Sequence, residues 1–361
     1  MNVFRTFGRN MTASTVGTGK AKLGEMNFAF IDMGQGDCTI ISDPNNTVIV
    51  IDCGSAILTE QKNFDEAKKI VRAWAGTDPI NLVVTHPDFD HYNRFLELLV
   101  LSDPVVDVNA IFFSRAKSAS SPLGGYRVSG FNINLDKMGY PLLIEITLNA
   151  TSNFIRKWTA DEGLYSDPEK TDIPATGYVL GSGTTAKGKD WSLTIIAGNV
   201  KTSQSPHSAT ANNVVSLCTL VKFDKDKVFL TGDSTEETLT YLYNYQKDHF
   251  KNCTIFQIPH HGSESSIPTD TFKDHVNPQT LLVSVGFTTY THKLPRSIVL
   301  AKWLTCSRLR DVNLVYDEWI YGIKGYKKNR RPEQYTENKL ERIYSRADDY
   351  LFSPGGPRRR A

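Results

Sequence analysis

From Met26 the chain sets apolar and polar positions in short alternating runs, the period of two that predicts strands. Phe28, Phe30 and Asp32 alternate toward a glycine-rich stretch, Gly34-Gln35-Gly36-Asp37. Cys38–Ser42 and Thr47–Ile51 are two strand-like runs separated by Pro44-Asn45-Asn46, turn residues that tolerate positive φ, so they predict a hairpin. It ends at Asp52-Cys53-Gly54. The period then becomes helical over about Asp65–Ala75: Ala67, Ile70, Val71 and Trp74 form one stripe, and Gly76 supplies a stop. Leu82-Val83-Val84 predicts a buried strand running into Thr85-His86-Pro87, and Phe95, Leu96, Leu99 and Val100 predict another helix.

Residues 103–190 show few clear periods apart from a strand at Ile111–Phe113, and are expected to be an insertion or lid. Regularity returns with strands at Trp191–Ala197, Asn213–Phe223 and Lys227–Leu230, the last two flanking the turn Asp224-Lys225-Asp226. A helix should follow Thr231-Gly232-Asp233, with Ser234 and Glu237 at capping-box spacing. Thr254–Ile258 and Leu281–Val285 predict further strands, and Ser297–Cys306 a helix. Antiparallel pairs followed by strands mixed with helices fit an α+β chain of two β-sheets flanked by helices better than a doubly wound parallel sheet.

Composition narrows the class. With 361 residues, 40% hydrophobic and 22% charged, the chain is neither disordered nor fibrous. The densest apolar run, Phe95–Leu101, is short and carries Glu97, so no membrane span is expected. The first 22 residues lack the apolar core of a secretory signal, and a cytoplasmic location is expected. Five scattered cysteines without C-x-x-C spacing point to reduced, packed thiols rather than disulfides or a thiolate metal site. The net charge of +2 hides an asymmetry: residues 324–361 hold 11 Lys+Arg against 5 Asp+Glu. Such a segment suits a polyanion, although a solvated tail or a packed helix after Trp319 and Tyr321 would carry the same composition.

The candidate chemistry is concentrated in His86-Pro87-Asp88-Phe89-Asp90-His91, directly after a predicted strand. Four potential ligands fall within six residues of a chain that has only 8 histidines. Two imidazoles and two carboxylates make a donor set suited to Zn²⁺, Mn²⁺ or Fe²⁺. Asp233 and the pair His260-His261 stand at the ends of other predicted strands, so a fold can assemble one centre from distant segments.

His86-x-Asp88-x-Asp90-His91 resembles the metal motif of the metallo-β-lactamase fold, usually H-x-H-x-D-H. Met33-Gly34-Gln35-Gly36-Asp37, Asn212-Asn213-x-x-Ser216, Leu230-Thr231-Gly232-Asp233, Pro259-His260-His261-Gly262-Ser263 and Ser284-Val285-Gly286 with His292 downstream are similar, in this order, to the soluble hydrolase domain of ComEC-type DNA-uptake proteins. The set spans about Met26–Cys306, and the membrane channel of those proteins has no counterpart in this sequence.

The resemblance implies an αββα sandwich with two divalent metal ions, Zn²⁺ or Mn²⁺, at one edge. It divides the chain into a flexible arm at 1–24, a hydrolase domain at 25–310 and a basic segment at 311–361. By analogy His86 and Asp88 hold the first metal, Asp90 and His91 the second with one of His260 or His261, and Asp233 bridges them. Asp52 supports the site from behind, and Asn213 and Ser263 are candidates for support or substrate contact. With aspartate at position 88 and an asparagine where a third imidazole is usual, the first site is left with His86 alone, a set leaning toward Mn²⁺. Asp90 would orient the attacking water, and His292 would bind phosphate or protonate the leaving group. The expected activity is that of a phosphodiesterase or nuclease on nucleic acid. Cyclic-nucleotide, ester or lactone hydrolysis, or a non-catalytic metal-bound module, are the alternatives.

Overall fold

Val48-Ile49-Val50-Ile51 sends successive side chains to opposite faces of one sheet. Val48 and Val50 join one buried cluster, while Ile49 and Ile51 join another. Such a run is stable only where both faces are covered, and this repeats through the molecule. The computed structural model describes residues 2–5, 12–15, 20–55 except 32 and 34, 61–99 except 87, 106–114, 177–200 except 199, 213–284, 294–314, 343–345, 350–353 and 356–359.

The first sheet holds β1 (Asn2–Arg5), β2 (Thr12–Thr15), β3 (Asn27–Phe30), β4 (Thr39–Ser42), β5 (Val48–Ile51), β6 (Ile80–Val84) and β7 (Val108–Phe113), in the order β2-β1-β3-β4-β5-β6-β7. Its pairs are antiparallel up to β5, then parallel through β6 and β7. The second sheet repeats the scheme. β8 (Tyr178–Thr184), β9 (Asp190–Ala197), β10 (Cys218–Phe223) and β11 (Asp226–Leu230) are antiparallel neighbours. β12 (Ile255–Gln257), β13 (Thr280–Val283), β14 (Asp311–Leu314) and β15 (Ile343–Ser345) continue in parallel. A separate hairpin joins β16 (Tyr350–Ser353) to β17 (Gly356–Arg359).

Between the sheets lie Phe28, Phe30, Ile41, Ile49 and Ile51 from one side and Trp191, Leu193, Ile195, Val221, Val228 and Leu230 from the other. Helix α1 (Gln61–Ala75) covers the outer face of the first sheet through Phe64, Ala67, Ile70, Val71 and Trp74, the stripe expected from its period. The short helices α2 (Phe89–Tyr92) and α3 (Phe95–Leu99) lie on the same side. On the second sheet, α4 (Glu236–Tyr245), α5 (Asp270–Val276) and α6 (Ser297–Trp303) bury Leu239, Leu242, Phe272, Val276, Val299, Leu300 and Trp303. The result is the expected α+β, αββα sandwich of two mixed sheets.

Two local expectations are corrected. Residues 213–215 form a 3-10 turn rather than the start of a strand, because Ser216 N–H donates back to Asn213 O and Leu217 N–H donates across to Thr85 O of the first sheet. The capping box does not form: Thr235 occupies the N-cap without a side-chain bond, and the Ser234 hydroxyl donates instead to Thr231 O at 2.6 Å. Within the stretches expected as an arm, an insertion and a basic segment, the described residues supply β1 and β2, β7 and β8, and β14 to β17. Residues 115–176 and 315–342 lie outside the described residues. Among the described residues, no helix is long and apolar enough to cross a membrane.

All five cysteines are free and buried. Burial pushes the Cys218 and Cys253 thiols up to about 12, so their reactive thiolates are scarce at neutral pH. In the folded protein at pH 8 these two should stay unmodified by a thiol-disulfide reagent, with all five thiols reacting once guanidinium unfolds the chain. Stoichiometric labelling of Cys253 under native conditions would contradict this burial.

Candidate metal centre

Strand ends place the site. β5 and β6, which are parallel, end at Ile51 and Val84 and deliver Asp52 and then Thr85-His86 to one edge of the first sheet. In the second sheet, β11 leads to Asp233, β12 to His260-His261 and β13 to Ser284. Bonds between the sheets stitch the two edges together. Gln257 Nε2 donates to Asp37 Oδ2 at 3.0 Å, and Ser284 Oγ donates to Gly36 O at 2.8 Å.

The glycine-rich turn permits a backbone crossing. Asp37 N–H donates to Asp90 O, and Gly54 N–H donates to Asp37 O. A Cβ on Gly54 would overlap the Asp90 carbonyl, and one on Gly36 would overlap the Gly54 carbonyl. Only chain without side chains fits there, and it fixes the first turn of α2, which carries Asp90 and His91.

Asp233 lies at the centre of the side-chain cluster. Its Oδ1 is 3.3 Å from His91 Nε2 and 3.5 Å from His261 Nε2. Its Oδ2 is 3.6 Å from His86 Nε2 and 3.7 Å from His260 Nε2. Asp90 Oδ2 adds a contact of 3.6 Å to His261 Nε2, and Asp88 Oδ2 one of 3.5 Å to His86 Nε2. All seven ligand candidates expected from the sequence are therefore assembled at one place. Four tight groups of potential ligand atoms occur among the described residues: His86, His91 and Asp233; Asp90, His91 and His261; Asp37, Asp52 and His91; and Asp37, Asp233 and His261. Asp88 and His260 reach the cluster from its more exposed side.

The far nitrogen of each imidazole is tied. His91 Nδ1 donates to Asp52 Oδ2 at 2.7 Å, and His261 Nδ1 donates to Ser284 O at 2.6 Å. His86 Nδ1 lies 3.0 Å from Thr85 Oγ1, whose proton goes to Asp52 Oδ2, and His260 Nδ1 lies 2.7 Å from Ser265 Oγ. Asp52 itself has φ 54 and also accepts Thr85 N–H, so one carboxylate orients two segments. A proton fixed on Nδ1 leaves Nε2 directed at Asp233 as the nitrogen for a cation.

Charge follows from this crowding. Burial pushes the Asp233 carboxyl up, but the surrounding imidazoles, His261 and His91 foremost, hold it well below the usual carboxylate range. Burial likewise opposes charge on His91, and Asp233 and Asp52 outweigh it and hold that imidazole well above its ordinary value. His261 is pushed up to about 10 against its burial, by Asp233 and Asp90. Asp90 sits below its usual range despite burial, through His261 and His91. His260 is lowered by burial, and Asp37 is raised by it.

The residues fit a divalent cation. His86 Nε2, His91 Nε2, His261 Nε2 and Asp233 Oδ1 are buried and have no hydrogen-bond partner. Each such atom costs about 1–3 kcal/mol unless something satisfies it. The nitrogens stand 3.3 Å (His91) and 3.5 Å (His261) from Asp233 Oδ1 and 3.6 Å (His86) from its Oδ2, too long for good hydrogen bonds. Ligand atoms about 2.1 Å from a shared tetrahedral ion stand about 3.4 Å apart, which is the spacing found.

Of the remaining expected residues, Asp52 lies behind His91, and Asn213 Nδ2 lies 3.0 Å from His260 Nε2. Ser263 touches Ser265, which in turn bonds His260. His292 lies outside the described residues. Residue-type reasoning passed over Asp37, Thr85, Gln257, Ser265 and Ser284. Asp37 and Ser284 stood within quoted motifs, whereas Thr85, Gln257 and Ser265 carry no signal until the strands are placed beside one another.

No protein-family model matches the chain, and none of the curated proteins matches it. Among solved structures it is similar to the metallo-β-lactamase fold protein YhfI from Bacillus subtilis, with 13% identity, a TM-score of 0.39, and coverage of 79% of this chain and 95% of that one. The short form of human tRNase Z gives 11%, 0.36, 80% and 91%. Igni18, a metallo hydrolase from the archaeon Ignicoccus hospitalis, gives 11%, 0.30, 71% and 82%.

A cation that binds only the folded chain stabilises it, by about 2.7 kcal/mol at one hundred times its dissociation constant. Chelation should therefore lower the melting temperature by several degrees, and Zn²⁺ or Mn²⁺ should restore it. The Gly54→Ala protein should melt lower than wild type and respond less to added metal, because its new methyl displaces the α2 turn. Melting curves that ignore both chelator and metal would refute the cation-binding reading.

Proposed function

We propose that this protein is a metal-dependent hydrolase of phosphodiesters, with nucleic acid as its substrate class and two divalent cations at the Asp233 cluster. The observation that carries the reading is Asp233 itself. One buried carboxylate offers its two oxygens to two pairs of imidazoles, and three of the four Nε2 atoms have no hydrogen-bond partner. Paired divalent cations lower the pKa of water and neutralise charge on the oxygens of an in-line displacement.

The chain's own residues supply position and proton handling. Asp52 and Ser284 O hold His91 and His261 by their Nδ1 atoms, so neither ring turns away from the site. The ionised Asp90 carboxylate, held below its usual range by His261 and His91, is suited to orient a water and accept its proton. Asp88, with its side chain 29% exposed, stands on the side from which a substrate enters. Phosphodiester chemistry is supported by the ordered resemblance to ComEC-type hydrolase domains and by the surplus of Lys and Arg over residues 324–361, which suits sequence-independent phosphate contacts. In this reading His292 contacts phosphate or the leaving group.

The test is a substrate panel with metal-stripped protein reloaded with Zn²⁺, Mn²⁺ or Mg²⁺. It should contain plasmid, single-stranded DNA, RNA, bis-p-nitrophenyl phosphate, a cyclic nucleotide and a lactone. Turnover of nucleic acid and of bis-p-nitrophenyl phosphate is expected. Asp90→Asn, Asp233→Asn and His91→Ala should each lower it at least about 1,000-fold while circular dichroism stays that of a folded chain. Hydrolysis of the lactone alone would move the protein to the ester class, and near-wild-type turnover by Asp90→Asn would reject the proposed role of that carboxylate.

A further inference from the structure

The chain leaves Asp233 in two directions, and both lead to the same far end of the second sheet. Backward, β11 runs from Leu230 to Asp226. Forward, α4 runs 10 residues from Glu236 to Tyr245, about 15 Å. A 3-10 turn at Lys247–His249 then returns the chain to the start of β11, where Lys227 Nζ donates to Lys251 O at 2.9 Å. Here the sheet carries an arrangement that sheets usually avoid. Lys222 of β10 is paired directly with Lys227 of β11, and like charges at such a position destabilise a sheet. Side-chain alternation places both on the outer face, two residues along from Leu220 and Phe229 of the helix-covered cluster.

Among the described residues, neither ammonium has a carboxylate within ion-pair reach. Lys222 Nζ lies 3.5 Å from His249 Nδ1, a further basic group, and Lys227 has the Lys251 carbonyl. Burial and the Lys227 ammonium together hold the Lys222 amine below its ordinary value. Asp226 alternates with Lys227 and so belongs to the other face, and Thr254 Oγ1 donates to it. The other acids nearest in sequence, Asp224 and Asp248, are exposed and pair with neither lysine. Beside this basic pair the end of α4 offers rings. Tyr241 and Tyr245, one turn apart, have centroids 4.9 Å apart, and Tyr245 is 59% exposed. Lys247 Nζ stands 5.8 Å from the centroid of Tyr243. The core has no use for Tyr245, since Leu239 and Leu242 supply the buried face of α4.

We propose that this end of the second sheet is a docking surface for single-stranded nucleic acid, with Lys222 and Lys227 taking backbone phosphates and Tyr245 stacking on a base. The inference rests on the nucleic-acid reading above and extends it, adding a second grip on the same substrate away from the metal centre. A phosphate between the two ammonium groups removes the repulsion that the pairing of β10 with β11 leaves open. An acidic protein surface would supply the charge as well, but it offers no flat ring to Tyr245, whereas every base has a π-face. A duplex keeps those faces inside its own stack, which favours the single strand. The chain from Lys227 to Asp233 spans at most about 20 Å. A strand of several nucleotides therefore reaches both points, and a small phosphodiester reaches only the metal centre.

The experiment follows the fluorescence anisotropy of a labelled phosphorothioate single strand of about 20 nucleotides, longer than a typical site and slow to hydrolyse, over a range of salt. Full-length, metal-loaded protein is used, and turnover of bis-p-nitrophenyl phosphate is measured beside it. Lys222→Gln combined with Lys227→Gln should lower the log–log salt slope by about 1.4, two contacts at about 0.7 each on a single strand. Lys222→Arg combined with Lys227→Arg keeps both charges and should retain the wild-type slope. Tyr245→Ala should weaken binding about 10-fold and leave the slope unchanged. All these variants should turn over bis-p-nitrophenyl phosphate as wild type does. An unchanged affinity and slope in the glutamine double variant overturn the docking surface. Binding that ignores Tyr245→Ala, or that duplex DNA competes away as well as single strands do, marks a general polyanion patch and overturns it too. A wild type that hydrolyses bis-p-nitrophenyl phosphate but binds no oligonucleotide overturns the surface and the nucleic-acid substrate class, and leaves the hydrolase standing. Binding that the variants weaken as expected, in a wild type without turnover, leaves the surface standing and overturns the hydrolase reading.

Discussion

A buried carboxylate with four imidazoles around it is costly to assemble, and the architecture of this protein is arranged around that cost. Asp233 receives His86 and His91 from one sheet and His260 and His261 from the other. Desolvation alone would drive each group toward its neutral form. Mutual pairing opposes this, holding the Asp233 carboxyl well below the usual carboxylate range and the His91 and His261 imidazoles above their ordinary value. The layer of Thr85, Asp52, Ser284 and Ser265 behind the rings determines which nitrogen each one presents.

The sheets contribute in parallel ways. Each begins with antiparallel strands and finishes with parallel ones, and each delivers its polar residues from the carboxyl ends of strands in or beside its parallel portion. The apolar alternation of β5, β6 and β11 is what makes those ends dependable. Ile49, Ile51, Val83, Val228 and Leu230 fill the space between the sheets, so the residue after each strand emerges at a defined height at the shared edge.

Much of this was legible in the sequence, for identifiable reasons. Strands with a period of two, the helical stripe of α1 and the density of ligand types at 86–91 are local properties that survive folding. So the sandwich and the seven ligand candidates could be read directly. The exceptions depend on contacts between distant segments. The turn at 213–215 forms because Leu217 pairs with Thr85 of the other sheet, which no local pattern records. The roles of Gln257, Ser265 and Ser284 depend on which strand lies beside which, and the approach of both His260 and His261 to Asp233 depends on a left-handed backbone that residue types do not announce.

The bonds from Gln257 to Asp37 and from Ser284 to Gly36 have a mechanical consequence. Neither sheet holds a complete set of ligands, since all the Asp88, Asp90 and His91 donors ride on one and all the Asp233 and His261 donors on the other. The site therefore behaves as a caliper across the sandwich. A slide of one sheet over the other by about 1 Å, a fraction of the strand rise per residue, would spoil every spacing at once. A bound cation would in turn act as a rivet between two layers that these few directional bonds and a larger, non-directional apolar contact already join. Occupancy of such a site and alignment of the two halves would in this way be one variable.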